Sequence, residues 1–485
     1  MKKFLINLGL LLFVPVALVL WTKLSWFVAV ALAVVLALWM ALTRTGRQAG
    51  MKKFLINLGL LLFVVVALVL WAKLPWFGAV ALAVALALWM ALTRSGRQAG
   101  SVTAVGMGTL RQRLGSSSVI VIGIAGVVGV LVALLAMGQG FQATLQSGGR
   151  DDTAIVLRGG SVSESQSVMT RDDVDAIEQA PGIARGADGK PLVSAELVVA
   201  ASLRKRGSDD DANAQLRGVD AAAWTLRPRL KIVEGRPFKP GLRELVVGRG
   251  AHREFAGLDV GDEVKLGMQS WKVVGEFASG DAYDSELWAD RQEVASAYRR
   301  GNSAESVLVR LVDAAAFDPF KAALASDPKL KVEADTTREF FARQSEGLAK
   351  TIRVVGLVVG AIMALGALFG ALNCMFAAVA ARSREIATLR AIGFRGGPVV
   401  VSVMLETMLL ALAGGLLGAL AVWLAFDGYT ASTLSGMTDV MFQFKVDGAL
   451  IWTGLKWALA IGFVGGLFPA VRAARLPVTT ALREL

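Results

Sequence analysis

Two side chains that build most catalytic and metal sites are almost missing, because this chain of 485 residues contains one histidine and one cysteine. His252 lies in a polar stretch and is interpreted as an ordinary surface residue. Cys374 lies in an apolar run and has no second cysteine with which to form a disulfide. Metal-ligand spacings, nucleophile motifs and paired catalytic carboxylates do not stand out. The sequence therefore predicts no catalytic residues, no metal site and no bound cofactor.

The phosphate loop G-x-x-x-x-G-K-[ST], which cradles ATP phosphates, is also absent. The nearest string, Gly186-Ala-Asp-Gly-Lys-Pro191, has the wrong spacing and a proline where serine or threonine is required. The chain is therefore predicted not to be an enzyme by itself, and it cannot hydrolyse ATP by this route.

Acidic residues are absent from residues 1–118, although lysines and arginines recur there. Most of the 39 acidic residues lie in a single polar block, residues 141–349. With 55% hydrophobic residues and a net charge of +12, the composition is typical of a membrane protein whose basic segments set its orientation. The basic charge is thus interpreted as a topology signal, and no nucleic-acid partner is expected.

Residues 1–50 and 51–100 form a near-perfect tandem repeat. Each copy has two apolar segments with tryptophans at their edges, which predicts a helical hairpin that enters and leaves the bilayer on one side. The segments are Phe4–Trp21, Trp26–Leu42, Phe54–Trp71 and Trp76–Leu92. The first segment could instead be a signal peptide, although a small-residue cleavage site is not apparent. The likeness of the copies suggests a recent duplication, with Met51 as a possible original start.

Four further apolar runs predict core spans. They are Val119–Met137, Val354–Ala380, Val399–Ala425 and Leu450–Phe468. If both hairpins return, the basic segments, including 382–395 and 472–485, share one side, which the positive-inside rule makes cytoplasmic. The polar block 141–349 is then outside.

Alternating apolar patterns in the polar block predict a compact α+β domain. The predicted strands are Thr153–Leu157, Leu192–Ala200, Glu244–Val247, Glu263–Leu266, Trp271–Phe277 and Ser306–Leu311. Thr336 and Glu339 form a capping-box pattern, and no clear helix breaker follows until Gly356. A single helix over Thr337–Ala380 would be roughly 66 Å long, far more than a bilayer core of about 30 Å requires. The alternative is two helices broken near Gly356.

A short amphipathic segment separates the second and third core spans. Residues 383–394 read SREIATLRAIGF, with apolar side chains three apart, and a glycine near the end. This string resembles the cytoplasmic signature of FtsX/MacB-like ABC transporter permeases. The ending RAARLPVTTALREL (472–485) and the strings EGRPF (234–238) and KVVGEF (272–277) are also similar to that family. The resemblance extends from about residue 101 to 485.

The resemblance implies an α-helical membrane protein with a four-span permease core and an α+β extracytoplasmic domain. The two duplicated hairpins, which the family core does not include, precede that core. The predicted parts are hairpins at 1–50 and 51–100, a cytoplasmic lead-in helix and first span at 101–140, the extracytoplasmic domain with its stalk at 141–349, and three spans with a coupling helix (381–395) at 350–485. The expected location is the bacterial inner membrane, with the domain in the periplasm.

The resemblance also implies a function. ATP hydrolysis by a separate ABC ATPase would move the coupling helix, and the stalk would pass that motion to the outer domain for export or efflux of an unknown substrate. The expected partners are that ATPase, a second permease copy or paralogue, a possible periplasmic adaptor and membrane lipid. The alternative is an FtsX-like signalling or scaffold protein that regulates a periplasmic partner. A secondary transporter is disfavoured because ionisable residues are scarce in the spans.

Three groups of residues are predicted to carry this function. The ATPase-coupling group is Arg382, Arg384, Glu385, Ile386, Leu389, Arg390 and Gly393. Glu406 is an intramembrane acid, interpreted as a structural anchor for nearby arginines or, alternatively, as a transport residue. Glycines four apart would let helices pack closely, within the bundle or at a subunit interface. These glycines are Gly366, Gly370, Gly414, Gly418, Gly462 and Gly466.

Overall fold

The computed structural model describes Val64 and residues 67–108, 114–435 and 438–475, so the first predicted hairpin lies outside the described residues. The helices are α1 (Trp76–Leu92), α2 (Arg94–Gly108), α3 (Leu114–Ser147), α4 (Arg171–Glu178), α5 (Ala223–Leu226), α6 (Arg249–Glu254), α7 (Arg291–Ala297), α8 (Phe317–Ser326), α9 (Thr337–Ala381), α10 (Ser383–Ala391), α11 (Gly396–Phe426) and α12 (Gly448–Arg475). The strands are β1 (Thr153–Arg158), β2 (Val193–Arg204), β3 (Asp211–Val219), β4 (Lys231–Gly235), β5 (Glu244–Gly248), β6 (Glu263–Leu266), β7 (Gln269–Ala278), β8 (Glu286–Asp290), β9 (Ser306–Arg310), β10 (Val332–Thr336), β11 (Thr430–Ser435) and β12 (Thr438–Gln443).

The chain forms two compact units. The helical unit comprises the chain up to Ala136, Arg353–Asp427 and the chain from Val446 onward. The sheet unit comprises Met137–Ile352 and Gly428–Lys445. Among the described residues, four helices are long and apolar enough to cross a membrane, namely α3, α9, α11 and α12. Each of them contains one of the predicted core spans.

A sharp bend separates α1 from α2, whose axes meet at 102°. Thr93 sits between them: its N–H donates to the Trp89 carbonyl oxygen, and its Oγ1 accepts from the Gly96 N–H at 2.8 Å. A Cβ atom at Gly96 would lie 2.0 Å from the Trp89 carbonyl oxygen, so the bend requires glycine there. Helix α1 coincides with the last predicted hairpin segment.

Two of the three predicted glycine motifs pack helices in the helical unit. A Cβ at Gly414 would fall 2.6 Å from the Val121 carbonyl oxygen of α3, and one at Gly418 would fall 2.3 Å from that of Ala125. On α12, a Cβ at Gly462 would meet Ala411 at 2.5 Å, and one at Gly466 would meet Thr407 at 2.7 Å. Only residues without a side chain permit these close helix contacts.

The third motif behaves differently. Beyond its own helix, a Cβ added at Gly366 or Gly370 would meet no atom of the described residues within 4 Å. Within the described residues, these two glycines of α9 therefore make no close helix contact, unlike the glycines of the other two motifs. An interface with another chain stays a prediction for them.

The sheet unit is built on one mixed sheet in the order β10-β1-β9-β2-β3-β8-β5-β7-β4, with β6 also paired to β7. Its apolar clusters include the fully buried rings of Trp271, Trp288 and Phe320. All six predicted strands are present, within a few residues at each end. The hairpin turn between β6 and β7 falls on Gly267 and Met268, which both have positive φ, as this tight turn demands.

The sequence missed the strands β3, β4, β8, β10, β11 and β12. The last two form a hairpin between α11 and α12 in the chain, yet it belongs to the sheet unit. The Met441 N–H donates to Ser285 Oγ at 2.8 Å, and the buried Phe442 ring meets Phe141 edge-on at 5.8 Å between centroids. A Cβ at Gly140 would lie only 2.1 Å from the Gln443 carbonyl oxygen. This hairpin is thus part of the sheet unit's core.

Helix α9 is a single helix of 45 residues, not two helices broken near Gly356. Thr336 Oγ1 accepts from the Glu339 N–H at 3.1 Å, as the capping pattern predicts. In the sheet unit its first turns pack against the last turns of α3, where a Cβ at Gly138 would touch Ile352 at 3.5 Å. At 1.5 Å per residue, α9 is roughly 67 Å long.

Candidate functional site

The candidate coupling helix is α10, which follows α9 after one residue, Arg382. Gly393 closes the segment with a φ of +108°, a conformation that glycine adopts without strain. Of the predicted apolar stripe, Ile386 is 5% exposed, Leu389 is half-buried and Ile392 is 72% exposed. The chain itself therefore covers Ile386. Ile392 is part of the predicted apolar stripe, although the predicted ATPase-coupling group does not include it.

The charged residues of the segment divide into an inner and an outer set. Arg384 and Glu385 are exposed, and Arg390 is partly exposed. Arg382 is buried: its Nε donates to Glu385 Oε2 at 3.1 Å, and its Nη1 donates to Glu406 Oε2 at 3.3 Å. The structure thus places Arg382 away from the exposed surface that a partner could contact.

Glu406 lies within α11 and is 6% exposed. A Cβ on Gly106 of α2 would lie 3.0 Å from Arg382 Nη1 and 3.5 Å from Glu406 Oε2, so α2 covers the ion pair with a glycine. Three segments therefore meet at two buried opposite charges: α2, α11 and the start of α10. Breaking a buried pair leaves a charge uncompensated, so this contact fixes how the three segments are arranged.

A second set of buried charges lies in the sheet unit, far along the chain from α10. Arg217 of β3 is 2% exposed and forms ion pairs with Glu164, Glu196 and Glu286 at 2.7–2.8 Å. Glu196 also accepts two hydrogen bonds at 2.7 Å from Arg227. The guanidinium of Arg227 lies 4.5 Å from the Tyr283 ring centroid. We call Arg217, Arg227, Glu164, Glu196 and Glu286 the charge cluster.

The electrostatics of the charge cluster are those of a closed network. Burial disfavours the charged form of Arg217, yet the facing carboxylates of Glu164 and Glu286 hold its pKa well above the usual value. Burial raises the pKa of Glu286, although Arg217 opposes that shift. The sequence pattern does not reveal the cluster, because its charges come from segments far apart in the chain and two of its strands, β3 and β8, are not predicted from the sequence. It joins β2, β3 and β8 and has no visible catalytic arrangement.

No group of three or more His, Cys, Asp or Glu in the described part of the chain could hold a metal ion. His252, interpreted as an ordinary surface histidine, is partly buried: its Nε2 is hydrogen-bonded to Asp259 at 2.7 Å, and its Nδ1 lies 2.9 Å from Glu276. The glycine motifs and the α10 segment are therefore the predicted site residues with a visible mechanical arrangement.

Two family models match this chain. The MacB-like periplasmic core domain matches residues 117–327, and the FtsX-like permease C-terminal domain matches residues 357–478. The macrolide export ATP-binding/permease protein MacB of Bordetella avium is 26% identical over 396 residues, which are 75% of this chain and 57% of that protein. The ABC transporter permease YknZ of Bacillus subtilis is 23% identical over 413 residues, covering 79% of this chain and 96% of YknZ.

Among solved structures, the extracellular domain of YknZ aligns with 38% of this chain at 18% identity and a TM-score of 0.30. The periplasmic region of MacB from Actinobacillus actinomycetemcomitans aligns with 42% of it at 15% identity and a TM-score of 0.30. The chain spans little more than half the length of the MacB relatives that it matches. The two domain matches together cover more than half of the chain, and the chain belongs to the FtsX/MacB-like family of ABC transporter permeases.

Proposed function

We propose that this permease couples ATP hydrolysis by a separate ATPase subunit to a conformational change in its sheet unit, and so drives export or efflux. The permease would lie in the bacterial inner membrane with the sheet unit in the periplasm. The substrate class is not part of the proposal, because no described cavity has a chemistry that selects one.

The observation that carries the proposal is the continuity of α9. This helix begins at the residue after β10, and a single residue, Arg382, separates its end from α10. A displacement of α10 along the α9 axis would therefore be passed on by a hydrogen-bonded helix without an intervening loop. An unbroken helix transmits axial motion better than a jointed one, since kinks arise at prolines, bulges or broken hydrogen bonds.

The exposed part of α10 is the proposed ATPase contact. Ile392 offers an apolar side chain that the described residues leave exposed, and Arg384 and Glu385 add exposed charges earlier in the same segment. Apolar anchors rimmed by charge are typical of protein interfaces. Arg382 and Ile386 would act from inside, by holding α10 on α2 and α11. The open Gly366 and Gly370 face of α9 is the proposed contact with a second permease copy.

The proposal is tested by purifying the chain with its cognate ATPase from a strain that expresses both. Wild-type chain should retain the ATPase, and Ile392→Asp should lose it while still inserting in the membrane. Leu242→Asp makes the same change at an exposed apolar residue of the sheet unit and should retain the ATPase. Retention by Ile392→Asp would contradict the contact. Failure of any ATPase to bind wild type, with capture of a periplasmic hydrolase instead, would favour the scaffold alternative.

A further inference from the structure

An apolar cavity of about 270 Å³ lies in the helical unit, beside the second repeat. Its walls come from residues 67–74, α1, α11 and α12, and include Leu68, Trp71, Leu82, Met408, Ala460 and Phe463. All of the lining side chains are apolar or aromatic. Leu82, on the rim, is 57% exposed, so the cavity opens toward the surroundings of the helices.

A lysine precedes, by about one helical turn, the α12 residues that line this cavity. Lys456, Leu459, Ala460 and Phe463 are spaced at i, i+3, i+4 and i+7 on α12, so they share one helix face, with the ammonium group nearest the start of the helix. Lys456 Nζ donates to the Ala72 carbonyl oxygen at 3.1 Å and lies 5.8 Å from the Trp452 ring centroid. Within the described residues no carboxylate lies within 4 Å of it, so two of its three donors are available to a ligand.

Two tryptophans frame the lysine. Trp71 Nε1 donates to the Lys456 carbonyl oxygen at 3.0 Å, and its ring meets Trp452 edge-on at 5.9 Å between centroids. The indole N–H of Trp452 has no hydrogen-bond partner in the described structure. Tryptophans are enriched at the depth of lipid head groups, and lysine side chains extend toward the same layer. The order along α12 is thus head-group contacts first and an apolar cavity deeper.

We propose that this cavity binds one acyl chain of an anionic phospholipid whose phosphate contacts Lys456. The apolar wall matches a hydrocarbon tail, and the uncompensated ammonium matches the phosphate charge. Neither α9 nor α10 contributes to the lining, so the site does not depend on coupling to an ATPase. The site also gives the second repeat a role, because Leu68, Trp71 and Leu82 all come from that repeat.

The test uses the full chain purified in detergent and native mass spectrometry, with phosphatidylglycerol and phosphatidylcholine of identical acyl chains as probes. Wild type should bind one phosphatidylglycerol with about fivefold preference, as expected for a single lysine at an anionic head group. Lys456→Gln should bind both lipids equally. Lys445→Gln removes an exposed lysine just before α12 and should keep the preference.

The tail contact is tested separately by filling the cavity. Ala460→Phe should lose both lipids, whereas Ala449→Phe, at an exposed position of the same helix, should bind like wild type. Equal binding of the two lipids by wild type, or lipid binding by a folded Ala460→Phe variant at the wild-type level, would overturn the proposal. If Ala460→Phe does not fold, the Lys456→Gln and Lys445→Gln pair still decides the head-group contact.

Discussion

The two units of this permease are held together by different means. In the helical unit, glycines bring helix backbones into contact, and the Arg382–Glu406 ion pair joins three segments. In the sheet unit, two arginines and two glutamates are buried beside an aromatic core, and the partly exposed Glu164 pairs with one of the arginines. Small residues organise the helical unit, where burial of apolar surface offers little gain because lipid is as apolar as a protein interior. In the sheet unit, the loss of one buried charge is therefore the change expected to reduce stability most.

The charge cluster should give the largest effect. Arg217→Met leaves Glu164, Glu196 and Glu286 without their shared cation, and removing one partner of a buried ion pair costs about 3–5 kcal/mol. We expect the sheet unit of this variant to unfold at a much lower temperature than that of wild type. Intrinsic tryptophan fluorescence measures the unfolding. Arg158→Met, at an exposed arginine of β1, is the control and should melt like wild type. An unchanged melting temperature for Arg217→Met would show that the cluster does not hold the sheet together.

The ion pair of the helical unit should give a smaller, reciprocal effect. Arg382→Met leaves Glu406 buried without a partner, and Glu406→Leu leaves Arg382 in the same situation. The double variant removes both charges and should recover a substantial part of the stability that either single variant loses. The measurement is a double-mutant cycle on thermal stability in detergent. Additive losses would mean that the two side chains act independently.

The continuity of α9 can be broken without touching either core. Glu346 is exposed, whereas Leu348 packs against the aromatic cluster of the sheet unit, which makes Glu346 the better test position. Glu346→Pro costs about 3 kcal/mol in a helix interior and introduces a kink. With the ATPase present, we expect ATP hydrolysis to persist and substrate export to fall several-fold. Glu346→Ala keeps the helix and should export normally; normal export by Glu346→Pro would favour a flexible joint.

A pH-dependent test addresses the sheet unit alone. Burial raises the pKa of Glu305 to about 7 from its usual 4.5, although it accepts from the Val198 N–H at 2.9 Å and lies 3.6 Å from Arg300. The folded state thus binds more protons than the unfolded state between these pH values, so stability falls as pH rises from 4.5 to 7. Glu305→Gln should remove this dependence and stabilise the unit above pH 7, by at most about 3 kcal/mol. If the difference in melting temperature between wild type and Glu305→Gln is the same at pH 5 and at pH 8, the raised pKa of Glu305 is contradicted.

The smallest effect is expected from deleting residues 1–50. The deletion keeps Met51-Lys52-Lys53 and removes a predicted hairpin, so the orientation of the remaining spans should not change. Expression, melting temperature and export should match the full chain. Trp71→Ala in the shortened chain is the contrast, because it removes the indole that contacts Lys456 and Trp452. Loss of export after the deletion would mean that the first repeat makes an essential contact.

Hydropathy and alternating apolar patterns predict the four long helices, six of the strands and the short amphipathic helix α10. Each of these features leaves a local pattern in the sequence. Partners distant in the chain do not: the strands β3 and β8, which carry Arg217 and Glu286, are not predicted from the sequence, and the β11–β12 hairpin lies in a short polar stretch between two spans. Ile392 belongs to the predicted apolar stripe but not to the predicted coupling group, since spacing alone does not show which part of an apolar stripe the chain itself covers.

The β11–β12 hairpin changes what can be cut out of this protein. Because the sheet unit draws on two separate stretches of sequence, a soluble fragment that ends at Ile352 would lack Phe442 and the residues around it. Phe141 would then lose its aromatic contact with Phe442, and Ser285 Oγ would lose the hydrogen bond that it accepts from the Met441 N–H. A complete fragment of the sheet unit would have to join 428–445 to the chain after residue 352 through a linker that replaces the residues between them.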